Sequence, residues 1–413
     1  MKHLLGVMWL VLFAACGKTH TPALPQPVET ATLKAQQSVT IWHAYVGDEA
    51  KAMDALVAQW NKLQPEVHMA ALAVPADTLF SKFQTDVAAG HGPDLVVVQN
   101  DKLGPWLQND LLQPLGDFAT PQRLGRFLPQ TVQPLGNDRG LWGLPLAFRT
   151  AALFYNRKLV AIPPKTLGQL IEVAKGFTPD PAKPVGLVYD AADPSFHAAF
   201  LQAMGGQVWD AHAKAVTIDT PEAIQAAELV RALHTEQRIL PQVTGDAAVA
   251  ALFNGGKVPF AIQRIGFIGA IGPAIDWGVA VLPELTPGKP LRPELEVDAL
   301  VLTRSSRGRE AALRIVDYLT SDEAAITRMA MGGQMVANLK TYENPRWLEK
   351  PVVRVFHAQA ATSVALPLAP EASVASAPYG QALQEIFFAG ADPKTALVKA
   401  QAAADQALAR LGK

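Results

Sequence analysis

The sequence predicts an α/β fold of two lobes, each a mostly parallel sheet flanked by helices, with two strands crossing between them. Three observations carry this expectation. Over 38–98, β-branched runs alternate with amphipathic helical stretches, the pattern of βαβ units feeding a parallel sheet. The run 142–156, WGLPLAFRTAALFYN, is apolar apart from Arg149 near its middle. A continuous apolar run reads as a strand buried on both faces, and a lone arginine inside it is costly unless paired or facing a water-filled cleft. It therefore reads as a strand that leaves one lobe, passes the floor of a cleft and enters the other. Third, residues 38–413 exceed what one hydrophobic core normally supports.

The chain opens with a short basic start, Met1-Lys2-His3, and an apolar run over 4–15. That run is too short to span a bilayer and has the length of a signal-peptide core. Small residues then precede Cys16, the only cysteine. The arrangement resembles a bacterial lipoprotein cleavage box, with Phe13 where leucine is usual. Residues 1–15 are expected to be a lipoprotein signal peptide, Cys16 the lipidated first residue, and 16–37, rich in Pro, Thr and Gln, a flexible tether.

In the first lobe the expected strands are 38–42, 67–74 and 94–98, with helices at 48–64 and 77–89 between them. In an open α/β sheet the ligand sits beyond the carboxyl ends of the strands. Those ends are the polar loops 43–48 and 99–102. Shorter helices are expected at 101–108 and 120–128. After the 142–156 strand, Thr166 caps a helix, 185–189 is a strand, and 194–204 a helix closed by Gly205-Gly206. Thr220-Pro221 opens a helix to 238 by its capping residue and a proline at the first helical position. A helix at 247–253 and strands at 258–262 and 277–282 follow. The run 296–303, EVDALVLT, apolar beyond its first residue apart from Asp298, reads as a second crossing strand, antiparallel to the first. Helices are expected at 306–320, 322–330, 373–388 and 393–411.

Composition excludes several functions. A net charge of −1 supplies no basic face for nucleic acid. There is no G-x-S-x-G, H-E-x-x-H or phosphate-loop signature, and the nine histidines show no paired metal-ligand spacing. Neither a catalytic residue, a metal nor a cofactor is expected.

Six fragments together resemble the extracellular solute-binding proteins of the maltose-binding type, the capture components of ABC importers. They are 41–60 (IWHAYVGDEAKAMDALVAQW), 92–115 (GPDLVVVQNDKLGPWLQNDLLQPL), 143–159 with PPKTLGQL at 163–170, 251–262 (ALFNGGKVPFAI), 277–290 (WGVAVLPELTPGKP) and 387–401. The resemblance implies a type II periplasmic-binding-protein fold with discontinuous lobes, 38–147 plus 299–337 and 148–298 plus 338–413. It also implies hinge closure on a sugar, and a permease as partner. The chain would be an exported monomer, held on a bacterial membrane by the lipid on Cys16.

Residues carry over to the family's ligand positions one by one. Asp101 and Lys102 match the acidic-basic pair after the third strand. Arg149 stands where a carboxylate is frequent. Asp193 matches the second lobe's acid-Pro-aromatic motif, with Ser195 in place of the aromatic. Val98 replaces a sugar-stacking tryptophan, and 264–267 offers none. Aromatic candidates for stacking on a sugar face are Tyr45, Phe267 and Tyr379, each otherwise a core or rim residue. His43 either bonds a hydroxyl or caps the loop, and Asp48 is either an acceptor or an N-cap. Arg149 and Arg264 either fork an anionic sugar such as a phosphate or uronate, or pair with local carboxylates, Asp298 being the partner expected for Arg149. A non-transport surface or sensor lipoprotein is the other alternative.

Overall fold

The computed structural model describes residues 37–178 and 186–411. The expected signal peptide, Cys16 and the tether up to residue 36 lie outside the described residues. In chain order the strands that build the sheets are β1 (Gln37–His43), β2 (Val67–Ala73), β3 (Leu95–Gln99), β4 (Gly143–Arg149), β5 (Ala151–Asn156), β6 (Leu187–Val188), β7 (Phe260–Arg264), β8 (Trp277–Ala280), β9 (Glu294–Leu302), β10 (Met335–Val336) and β11 (Val364–Ala365). The helices that matter below are α1 (Gly47–Leu63), α2 (Ala76–Ala88), α3 (Leu103–Gln108), α4 (Pro194–Ala203) and α5 (Ser376–Phe388).

Two sheets give two lobes. The first runs β10-β4-β9-β3-β1-β2, with β11 added to the start of β9. The second runs β8-β5-β7-β6. β1 pairs in parallel with both β2 and β3, as the βαβαβ reading requires. The expectation of mostly parallel sheets needs correction beyond that unit. β9 runs antiparallel to both β3 and β4, and β5 runs antiparallel to β7 and β8. The physical reason is connectivity: one strand carries the chain out of the first lobe and another brings it back, so the two must run in opposite directions.

Each sheet is covered on both faces. On the first, Val39, Ile41, Val97 and Leu300 face α1 through Met53 and Leu56, while Val96, Val98 and Val301 face α2 and α3 through Phe83 and Trp106. On the second, Leu153, Phe260 and Ile262 meet Phe196 and Phe200 of α4 and Leu383 of α5, while Phe154 and Ala261 meet Phe253, Phe267 and Phe356. Burying an aliphatic or aromatic side chain contributes about 1.5–3 kcal/mol, so these layers outweigh any single polar contact in the cleft.

The expected 142–156 strand is divided at one residue. β4 lies in the first sheet and β5 in the second, with Thr150 between them. Thr150 is buried and its Oγ1 bonds the Glu294 carbonyl and Ser363 Oγ, both at 2.8 Å. The first bond fastens the joint to β9 and the second to the residue before β11. Thr166 and Thr220 cap their helices as expected, accepting from the N–H groups of Gln169 and Ala223. Among the described residues no helix is long and apolar enough to cross a membrane.

Candidate functional site

The carboxyl ends of β1 and β3 open on a groove. One part, of about 240 Å³, is lined by Tyr45, Glu49, Val98, Gln99, Arg149 and Asp298. The other, of about 650 Å³, is lined by Phe80, Asp101 and Lys102 on one side and by Leu366, Ala369 and Ser373 on the other. Ala76, Phe80 and Lys102 line both, so the two parts are continuous. Lobe-forming segments from both ends of the chain thus meet across one hollow, of the size that small-molecule sites occupy.

Its floor is β9. Side chains two apart on a strand share a face, so Glu294, Glu296 and Asp298 form an acidic row. Arg149, at the end of β4, ion-pairs with Asp298 and lies 3.1 Å from Glu49 Oε1. Arg264, at the end of β7, pairs with Glu296 at 3.1 Å, donates to Ser195 Oγ and stacks 4.6 Å over Phe196. Gln99 donates to the other Glu296 oxygen at 3.1 Å. Glu294 joins no ion pair within bonding distance among the described residues. Burial, then the neighbouring Glu296, pushes its carboxyl up to about 8. Burial also raises Glu49 and Glu296, against the pull of Arg149 and Arg264 respectively. The Asp298 charge holds the Arg149 guanidinium protonated.

A bulge aims Arg149. Between Asp298 and Ala299 the register of β9 on β4 slips by one, so Leu146 is extra. Leu144 and Leu146 point to the α1 side, yet Phe148 packs on the α2 side. The slip therefore turns Arg149 toward α1, where Glu49 waits.

Other candidates distribute unevenly. Tyr45 lines the groove, its ring buried and its hydroxyl donating to Asp298 at 3.3 Å. Asp101 lines it too, one oxygen on Lys102 at 2.6 Å and the other buried without a partner. Asp193 caps α4, accepting from the Ser195 N–H at 2.8 Å. The structure corrects four readings. His43 is buried and its Nδ1 accepts from the Tyr45 N–H at 3.2 Å, because the chain turns tightly after β1. Asp48 is exposed and paired with Lys51 at 2.7 Å, neither capping α1 nor reaching the groove; Val46 is the N-cap. Phe267 is a core ring against Phe154 and Phe253. Tyr379 is buried under α4, its hydroxyl on His197 Nδ1 at 2.8 Å.

Sequence reasoning missed Glu49, Glu294, Glu296, Gln99 and Phe80. The period-two spacing of Glu294, Glu296 and Asp298 was the available signal for the acidic row. For Glu49, beside Asp48, no sequence pattern told which of the two faced inward.

Comparison with known proteins agrees with this architecture. A family model described as bacterial extracellular solute-binding protein matches residues 44–326. The chain is 26% identical to a maltotriose-binding protein of Pyrococcus abyssi, over 88% of this chain and 79% of that one. It is 24% identical to a galactooligosaccharide-binding protein of Bacillus subtilis, over 94% and 92%. A cyclo/maltodextrin-binding protein complexed with maltotetraose superposes with a TM-score of 0.81 at 26% identity, covering 90% of this chain and 97% of that chain. The two sheets, the crossing strands and the matched span agree: the chain belongs to the bacterial extracellular solute-binding proteins.

Proposed function

We propose that the chain is the substrate-binding component of an ABC importer, capturing a sugar or oligosaccharide in the groove and delivering it to a permease without altering it. The groove of about 650 Å³, walled by Phe80 and Asp101 on one side and Leu366 and Ser373 on the other, carries this reading. Carboxylates and amides accept from sugar hydroxyls, and a flat apolar ring such as Phe80 covers a sugar face. A ligand touching both walls stabilises the closed arrangement by contacts made only there. Lipid attachment at Cys16, export to the periplasm or cell exterior, lobe limits near 148, 299 and 338, and a monomeric body complete the reading.

A neutral guest fits better than an anionic one. Arg149, which lines the groove, already faces two carboxylates, and Arg264, which lines neither part of it, is paired with Glu296. The test is a thermal-shift screen of malto- and galacto-oligosaccharides beside sugar phosphates and uronates. A cognate neutral oligosaccharide at 100-fold excess over its Kd should stabilise the fold by about 2.7 kcal/mol. Stabilisation by charged sugars alone would refute the neutral reading, and stabilisation by no sugar would refute the function.

A further inference from the structure

Two arginines that join no ion pair among the described residues, Arg304 and Arg307, lie at the other end of the first sheet, away from the groove. β9 is antiparallel to β3, and its last residue, Leu302, pairs with Leu95, the first of β3. The turn that follows is therefore at the pole opposite the groove. This is also the pole where β1 begins at Gln37 and the chain from Cys16 joins the body. A cavity of about 400 Å³ opens there, with Arg304, Ser305 and Arg307 on one wall and Gly90 and Asn109 among the residues facing them.

Arg304 is exposed, and the hydrogen bond described for its guanidinium goes to a backbone carbonyl, that of Asp110, at 3.3 Å. Arg307 is exposed, and no ion pair joins it or Arg304 among the described residues. Arg309 next to them donates to Gln113 and to the Pro114 and Leu115 carbonyls. Asp94, just before β3, accepts from neutral donors, the Thr40 N–H and the Ser306 hydroxyl, both at 2.8 Å. Ser305 Oγ is buried and has no hydrogen-bond partner among the described residues. Gly92 leaves room for that hydroxyl, because a Cβ at 92 would stand 3.0 Å from it and 2.3 Å from Val87 Cγ2.

We propose that this pole cavity binds a phosphate-like oxyanion, either free or as the headgroup of an anionic phospholipid. A guanidinium presents paired N–H donors that match the oxygens of such a group. The volume exceeds that of bare phosphate and leaves space for an esterified substituent.

The experiment uses the full chain. Inorganic phosphate is titrated at constant ionic strength against chloride, with binding read by calorimetry. Saturable phosphate binding is expected, weakened about tenfold or more in Arg307→Ala and in the Arg304→Ala/Arg307→Ala double variant, the loss of about one charge-assisted hydrogen bond. Arg307→Lys, which keeps the charge and loses the fork, should fall between. Unliganded melting temperatures identify any variant that is merely misfolded. Co-sedimentation with phosphatidylglycerol vesicles, against phosphatidylcholine vesicles, separates the sources. Vesicle binding that inorganic phosphate displaces assigns the cavity to headgroups, and phosphate binding without vesicle binding assigns it to a free anion. Phosphate binding no different from chloride, or unchanged in the double variant, overturns the proposal. The phosphatidylcholine arm accounts for binding through the lipid on Cys16, and an excess on phosphatidylglycerol that phosphate does not displace overturns the proposal as well.

Discussion

Truncating Arg149 would strand two carboxylates at once, Glu49 and Asp298, the latter only 3% exposed. Removing one partner of a buried pair typically costs about 3–5 kcal/mol because the remaining charge has nowhere to go. Arg149→Ala is therefore expected to lose stability on that scale in urea denaturation. The triple change with Glu49→Gln and Asp298→Asn should recover part of it, and an unaltered midpoint for Arg149→Ala would refute the pairing. Glu294 poses the opposite case, a carboxyl without a cation of its own. Its ordinary value is 4.5 and burial beside Glu296 raises it to about 8. Between those values the folded protein still holds a proton that the unfolded chain has released, so this group makes stability fall as pH rises from 4.5 toward 8. Glu294→Gln should flatten that slope, most visibly near pH 7, leaving a residual decline from Glu296. A pH profile parallel to the wild type would refute the assignment. The Arg149–Asp298 pair was legible in the sequence, since a charge in each of two apolar runs needs a partner. Glu294 was not, because reading the second crossing strand from 296 cut off the first member of the acidic row.

At the scale of elements, the sequence disclosed most where periodicity is long. α1 and α2 follow from apolar residues at helical spacing, and the parallel β1, β2 and β3 from β-branched runs separated by those helices. The two crossing runs were recognisable by their apolar content and single charges. What stayed hidden was shorter than one period of any pattern. β10 and β11 span two residues each, and a pair of residues carries no alternation to detect. The bulge at Leu146 was equally silent, because it arises from the match between β4 and β9 and not from either sequence alone. Yet that one-residue slip decides which helix Arg149 meets. Phe267 and Tyr379 were misassigned for a related reason: an aromatic residue serves a core as readily as a sugar, and only packing separates the two.

On the scale of the whole molecule, closure depends on how near α3 of the first lobe comes to the segment 366–370. Gly104 sets that approach. A Cβ there would stand 2.7 Å from the Leu368 carbonyl oxygen and 2.8 Å from Pro370 Cα and N, all backbone atoms that cannot swing aside. The added methyl must push helix and segment apart, a strain of about 1–3 kcal/mol of the kind overpacking brings. Segment 366–370 includes Leu366, which lines the groove opposite Asp101 and Lys102, so the strain falls on the ligand-gripping arrangement. Gly104→Ala is therefore expected to weaken affinity for a cognate oligosaccharide by about tenfold. It should also shrink the ligand-induced fall in radius of gyration seen by small-angle X-ray scattering. Its first-lobe fold should survive, because the clash lies with the opposing segment and not within α3. Equal compaction and equal affinity in the variant would mean that the two walls do not draw together on the ligand, and capture would then have to come from the first lobe alone.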